Sequence, residues 1–92
     1  MLLLSLLLPV NQANAAGCLG AQETRQAIAD GKAQRLSKIT KAANKHVRGD
    51  VIKANLCVDG GRLVYQLVVL SRQGTVSRLV LDAKSMTLVA MN

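Results

Sequence analysis

Few side chains in this sequence could do chemistry, and their spacing does not favour catalysis, which requires a nucleophile beside a base or two carboxylates in a shielded site. The only histidine, His46, lies among lysines, and Asp50, Asp59 and Asp82 fall where strands are expected to end and turns to begin. Aspartate is common at such positions because its side chain accepts hydrogen bonds from the backbone. One histidine and two distant cysteines also lack the spacing of a metal site. We therefore expect no enzymatic activity, no metal and no cofactor.

The chemistry of the two cysteines, Cys18 and Cys57, depends on the compartment in which the chain folds. Residues 2–10 form a short apolar run, and small residues follow at alternate positions up to Ala15. This pattern is typical of a secretory signal peptide that is cleaved after Ala15. The run is too short to cross a bilayer. We expect residues 1–15 to be removed and the mature protein to be periplasmic or secreted.

Export leaves two interpretations of the cysteines open. In an oxidising compartment, Cys18 and Cys57 would form a disulfide. Closing that loop of about forty residues would stabilise the fold by roughly 4 kcal/mol. Alternatively, residues 15–18 are a lipobox, which would make Cys18 the site of a lipid anchor and leave Cys57 as a free thiol. Ala15 then occupies a position where leucine is usual.

The composition indicates one small domain with an aliphatic core. The chain has 92 residues and a net charge of +7, and half of its residues are hydrophobic although only one is aromatic. So many aliphatic side chains exclude intrinsic disorder. A chain this short is also poorly suited to enclose the large cleft of an enzyme.

The hydrophobic periodicity predicts two helices and then a sheet. The first helix is expected at 20–30, before Gly31, and the second from Ser37, as its N-cap, to Arg48, with Gly49 ending it. Strands with a period of two are predicted at 51–58, 62–71, 75–82 and, more briefly, 87–91. The turns between them are too short for parallel crossovers. The predicted fold is α+β, with two N-terminal helices packed on one face of a three- to four-stranded antiparallel meander.

The outer face of the second helix is basic and is a candidate binding surface. It carries Lys38, Lys41, Lys45 and Arg48. Such a surface would attract anionic lipid headgroups or lipopolysaccharide, so a membrane surface is one possible partner. The other interpretation is a solvated face that keeps the domain soluble. Nucleic acid is not an expected partner, because the chain is exported and a single tyrosine offers no stacking platform.

The central strand provides a second candidate surface because it is apolar on both faces. Leu63, Tyr65, Leu67 and Val69 point one way, towards the helices. Val64, Val68 and Leu70 point the other way and have no evident cover. An uncovered aliphatic face on an exported domain is commonly an interaction surface, so we expect a protein partner there.

The strands resemble the PepSY domain. The resemblance covers Leu36 to Val89 and is carried by residues 49–56, 61–70 and 74–84. In that family a strand follows a helix-ending glycine, a hairpin leads to a strand that carries a tyrosine, and the last strand ends in Asp-Ala. Tyr65, Asp82 and Ala83 match these signature positions. A glycine usually follows in the final turn, where Met86 stands here; glycine there would supply a positive φ at no steric cost, and a side chain costs on the order of 1 kcal/mol.

The resemblance implies a non-catalytic role. PepSY domains are found in propeptides of thermolysin-like metallopeptidases and in exported bacterial proteins, where they are thought to inhibit or regulate peptidases. Together with the predicted cleavage after Ala15, it gives three regions: a signal peptide at 1–15, an N-terminal segment with a short helix and Cys18 at 16–35, and a PepSY-like domain at 36–92. Small periplasmic members carry comparable cysteines, which favours a bridge between Cys18 and Cys57. The expected partner is an extracytoplasmic peptidase or a sensor domain.

Overall fold

The computed structural model describes residues 17–92, and the predicted signal peptide lies outside this range. Two short helices precede four strands. The elements are α1 (Ala21–Ala29), α2 (Leu36–Asn44), β1 (Asp50–Asp59), β2 (Arg62–Leu70), β3 (Val76–Asp82) and β4 (Leu88–Met91). The strands form one antiparallel sheet in the order β1-β2-β3-β4. The predicted α+β fold with an antiparallel meander is therefore confirmed, and the meander has four strands.

Turn chemistry sets the pairing of β1 with β2. Gly60 and Gly61 form a two-residue loop, and both have positive φ, 61° and 85°. This is the geometry of the tight hairpin turns that suit twisted strands. The loop places Asp59 opposite Arg62, so the partners of the following residues can be counted outward from the turn.

One face of the sheet is covered by the helices, and we call it the covered face. Ile39 and Ala43 of α2 and Ala27 of α1 pack against the strands. The strand residues in this core are Leu56, Tyr65, Leu67, Val69, Leu79 and Leu81, each at most 1% exposed. These are the side chains that the period-two pattern assigned to the helix side of the central strand, together with their neighbours on β1 and β3.

The second helix is shorter than its sequence predicts. It ends at Asn44 rather than Arg48, and Ser37 lies inside the helix rather than capping it. The Asn44 side chain explains the end: its Nδ2 donates to the Thr40 carbonyl at 3.1 Å, and its Oδ1 accepts from the Gly49 N–H at 3.2 Å. This side chain joins the last helical turn to the residue before β1, so the chain leaves the helix early.

Gly49 does not end the helix; it allows the chain to enter the sheet. Its φ is 154°, and a Cβ there would clash with the backbone carbonyl oxygen of Leu70. Only glycine combines this φ with so close an approach.

A β-bulge in β1 corrects the alternation of side chains. The register shifts between Val51 and Lys53, so Ile52 is the extra residue, and it is 56% exposed. Strict alternation would put Val51 and Lys53 on the same face. The bulge instead lets Val51 pack against the core while Lys53 points to the opposite face.

The N-terminal segment forms part of the same domain. Cys18 lies opposite Cys57, and the two form a disulfide with their Cα atoms 3.8 Å apart. On either side, the Leu19 N–H donates to the Leu56 carbonyl and the Val58 N–H to the Gly17 carbonyl. The segment thus lies along the edge of β1. Of the two interpretations of the cysteines, the structure has the disulfide, which leaves no sulfur at Cys18 for a lipid and indicates folding in an oxidising, extracytoplasmic environment.

Candidate functional site: the open face of the sheet

The sheet face opposite the helices is the candidate functional site, and we call it the open face. Its side chains fall into rows that run across the strands. The rows are Asp50–Leu70–Val76, Lys53–Val68–Arg78, Asn55–Gln66–Val80–Ala90 and Cys57–Val64–Asp82. Strand alternation and the bulge in β1 place these side chains together.

The structure divides the predicted partner surface. Val64, Val68 and Leu70 all point to the open face as expected, but only two of them are accessible. Leu70 is 36% exposed and Val68 is partly exposed, whereas Val64 is 0% exposed. The expectation that Val64 is an uncovered contact residue is therefore wrong.

The burial of Val64 follows from its row. Its cross-strand neighbours are Cys57, which carries the disulfide, and Asp82, which lies 3.6 Å from an Arg62 nitrogen. Sulfur atoms on one side and the ion pair on the other flank the valine. The accessible apolar part of the open face consequently begins at Val68 and Val80 and extends to Leu70 and Val76, the last 53% exposed.

The sequence analysis missed two cations that frame this apolar surface. Lys53 and Arg78 are paired with Val68 from opposite sides, and both are exposed. Together with Gln66, Val80 and Ala90 they line a shallow groove of about 350 Å³. The first hairpin could have revealed Lys53, because counting back from Asp59 opposite Arg62 puts Lys53 opposite Val68.

The three signature residues lie at the other end of the sheet and have structural roles. Tyr65 is buried, and its hydroxyl donates a 2.6 Å hydrogen bond to the Gln34 carbonyl in the loop between the helices. The Gln34 N–H donates in turn to the carbonyl of Ala83, whose N–H donates to the Leu63 carbonyl. We call this chain of contacts the Gln34 latch. The Gln34 latch joins the helical layer to the end of β3. Burial raises the pKa of the Tyr65 hydroxyl.

Asp82 organises the turn that follows β3. Its Oδ1 accepts hydrogen bonds of 2.9 Å from the N–H groups of Ser85 and Lys84. These two bonds, Ser85 first, lower the pKa of the Asp82 carboxyl; burial partly opposes them, and Arg62 adds a smaller attraction. The turn ends at Met86, which has a φ of 66°. The positive φ expected where the family has glycine is thus present, and the Met86 side chain packs against the core.

The basic candidate surface lies in the helical layer. Lys38 and Lys41 are exposed on α2, Lys45 is its C-cap, and Arg48 follows outside the helix. All four side chains are exposed. Since the helices cover the opposite side of the sheet, this basic surface and the open face are separate regions.

The remaining titratable groups do not converge on a reaction centre. Asp50 and Asp59 are exposed near opposite ends of β1, and His46 is exposed in the turn after α2. Within residues 17–92, no group of three or more histidine, cysteine or acidic side chains is placed to hold a metal ion. Neither helix of this part of the chain is long and apolar enough to cross a membrane.

Comparisons with known proteins leave the chain without an assigned family. No family model, no curated protein and no solved structure matches it. A functional conclusion therefore depends on the geometry of the open face and on the resemblance of the strands.

Proposed function

We propose that this protein is a non-catalytic, exported PepSY-like module that binds a protein partner through the open face. Its partner is an extracytoplasmic peptidase, which it regulates or inhibits, or a sensor domain. A signal peptide at 1–15, cleaved after Ala15, would carry it to the compartment in which the disulfide forms. The observation that carries the proposal is the partly exposed apolar surface of Val68, Leu70, Val76 and Val80 on a face that the helices leave open.

The distribution of apolar residues supports this assignment. The covered face already buries a continuous core, so the fold does not need further aliphatic side chains on the other side of β2 and β3. Exposed aliphatic side chains next to one another lose contact with water when a partner binds, which favours association. The resemblance to PepSY domains supplies the class of partner.

The test begins by identifying the partner in the cells that export the protein. A photo-crosslinking residue at Val76 would capture proteins on the open face, and one at Lys41 would do so on the helical layer. We expect the Val76 probe to capture a peptidase or sensor domain. The complex would then be rebuilt from purified components to measure its dissociation constant.

Substitutions then locate the interface. We expect Val68→Asp to weaken the rebuilt complex at least about tenfold, because a hydrated charge replaces the apolar contact at the centre of the surface. Val76→Asp makes the same change at a more exposed position, where the fold should tolerate it. Thermal unfolding would verify that both variants are folded. The Lys41→Glu/Lys45→Glu double variant is the matched control on the helical layer. A complex that neither open-face variant weakens would refute the proposal.

The basic surface favours a second function, binding to anionic envelope components. Four exposed cations follow one another at Lys38, Lys41, Lys45 and Arg48, and no acidic residue lies between them. Sedimentation with vesicles that contain anionic lipid would test this function. Binding should fall steeply with salt and should be lost in the Lys41→Glu/Lys45→Glu variant, whereas vesicles of neutral lipid should not bind.

A further inference from the structure

Lys53 and Arg78 are the cations of the open face best placed to act together. Both are direct cross-strand neighbours of Val68, one on β1 and one on β3. Two strand spacings separate them, about 10 Å between their Cα atoms. Their side chains are long enough to converge above the valine between them. Their methylene stems can cover part of Val68 while the charges stay in water, consistent with the partial burial of Val68.

Neither cation has an acidic partner in the part of the chain that the structure describes. The one ion pair within residues 17–92 joins Arg62 to Asp82, two rows away. The groove around Lys53 and Arg78 is lined otherwise by aliphatic and amide side chains, among them Val80 and Gln66. The pair therefore presents two positive charges over a partly apolar groove, and none of the other side chains that line it is acidic.

We infer that the partner contributes a carboxylate, from an aspartate or glutamate on an otherwise apolar segment, which binds between Lys53 and Arg78 above Val68. This inference rests on the proposed function and adds the chemistry of the contact. The apolar neighbours of that carboxylate pack on Val68 and Val80. The guanidinium of Arg78 donates hydrogen bonds to the carboxylate, and the Lys53 ammonium completes the neutralisation.

The two cations should also make the contact selective for an acidic residue of the partner over a basic or neutral one. A basic residue at the same position of the partner would meet two like charges and be repelled. A neutral amide of the same shape would keep the apolar contact and lose the ionic one. Charge at a single position of the partner segment should thus decide the affinity.

Two synthetic peptides test the inference on the purified, disulfide-bonded protein. One is acetyl-Ser-Leu-Val-Glu-Val-Leu-Ser-amide, and the other has glutamine in place of glutamate. Both would be titrated while the backbone amide signals of the protein are followed by NMR. We expect saturable shifts around Lys53, Val68 and Arg78, with the glutamate peptide binding roughly fivefold more tightly than the glutamine peptide at low salt.

Matched variants assign the preference to the two cations. Lys53→Gln and Arg78→Gln should each reduce the preference for glutamate and leave binding of the glutamine peptide unchanged. Lys41→Gln, the same charge change in the helical layer, should leave the preference intact. Equal binding of the two peptides, a preference that survives in both Lys53→Gln and Arg78→Gln, or the absence of saturable shifts would overturn the inference.

The outcomes also separate this inference from the function on which it rests. If both peptides bind equally at the open face, the carboxylate contact fails while the apolar docking surface stands. If Val68→Asp and Val76→Asp leave the rebuilt complex unchanged, the docking function itself fails.

Discussion

The two faces of the sheet differ in whether their side chains have partners inside the molecule. On the covered face, the aliphatic side chains of the core and the Tyr65 hydroxyl have partners inside the molecule. On the open face, Leu70 and Val76 remain partly in water, and Lys53 and Arg78 have no ionic partner within residues 17–92. Interactions that are completed internally stabilise the fold. Groups that are left without partners are available for recognition.

The comparison of the two faces also bears on the three residues that match the PepSY signature positions. Tyr65, Asp82 and Ala83 participate in the Gln34 latch and the turn after β3, so their contacts explain how the layers are joined. The open-face residues that we propose for binding lie outside that signature. A pattern shared across a family can report the fold while the binding specificity lies elsewhere.

The largest effect on stability is expected from the disulfide, which holds the N-terminal segment on β1 next to the buried Val64. Replacing Cys18 and Cys57 with alanine should lower the free energy of unfolding by about 4 kcal/mol, because the unfolded chain gains the freedom of the opened loop. Urea denaturation measures the change. Wild-type protein treated with reductant is the control and should lose a similar amount; a loss below about 1 kcal/mol in both would contradict the prediction.

Gly49→Ala should be the next most costly change, because it forces a Cβ against the Leu70 carbonyl at an unfavourable φ. We expect a loss of about 3 kcal/mol. Gly31→Ala is the matched control: its φ of 75° is also positive, but the alanine methyl would meet no other part of the protein within 4 Å. That control should cost only about 1 kcal/mol, and equal losses in the two variants would show that the close approach is not what matters.

Tyr65→Phe removes the hydroxyl from the Gln34 latch and tests the covered face directly. We expect a loss of about 1–2 kcal/mol at neutral pH, the usual cost of leaving a buried acceptor unpaired. Because burial raises the pKa of Tyr65, its contribution is present below the ordinary tyrosine pKa and is lost as pH rises through the higher folded value.

The alkaline loss should therefore be present in the wild type and absent in Tyr65→Phe. Tyr65 is the only aromatic residue of the chain, so ultraviolet absorbance of tyrosinate reports its ionisation without interference. An ordinary tyrosine titration in the folded protein would contradict the buried latch.

Asp82→Asn should have a smaller effect that depends on pH in the opposite direction. Hydrogen bonds lower the pKa of Asp82, so its carboxylate stabilises the fold above its ordinary pKa and loses that contribution as pH falls through the lower folded value. We expect the wild type to be about 1 kcal/mol more stable than Asp82→Asn at neutral pH. Urea denaturation should show that difference vanishing in acid; a difference that is constant with pH would rule out the ionised carboxylate as its source.

The smallest effect on stability is expected from a substitution on the open face, where affinity should change and stability should not. Val76→Thr keeps the branched shape at an exposed position, so the unfolding free energy should change by less than about 0.5 kcal/mol. Affinity for the partner should nevertheless fall, since a hydroxyl replaces an apolar contact. Calorimetry of unfolding and of binding would measure both, and a loss of stability without a loss of affinity would reverse the assignment of the two faces.

Local patterns predicted most of the fold. Periodicity placed the helices and strands, and the Asp59-Gly60-Gly61 turn predicted the first hairpin. The end of α2 was predicted four residues too late because the Asn44 contact to Gly49 is not visible in hydrophobic periodicity. The bulge at Ile52 was also missed. It lets Val51 lie on the covered face and Lys53 on the open face, and hydrophobic periodicity does not show it.

The candidate site was only half predictable. Alternation assigned Val64, Val68 and Leu70 to the face opposite the helices, which is a property of each strand alone. Their exposure depends on neighbours from other strands, so the burial of Val64 between the disulfide and the Asp82–Arg62 pair could not be deduced from β2 by itself. The same applies to Lys53 and Arg78, which are 25 residues apart in the chain and are brought together by the register of three strands.

Composition, periodicity and turn residues, which act over a few neighbouring positions, were enough to determine an aliphatic α+β domain with a meander and a basic helical layer. Pairing across the sheet, the bulge and the disulfide determined which side chains share a row, which are buried and which cations remain without partners. Secondary structure depends on short-range backbone and side-chain preferences, whereas exposure and charge environment depend on residues distant in sequence that only folding brings into contact.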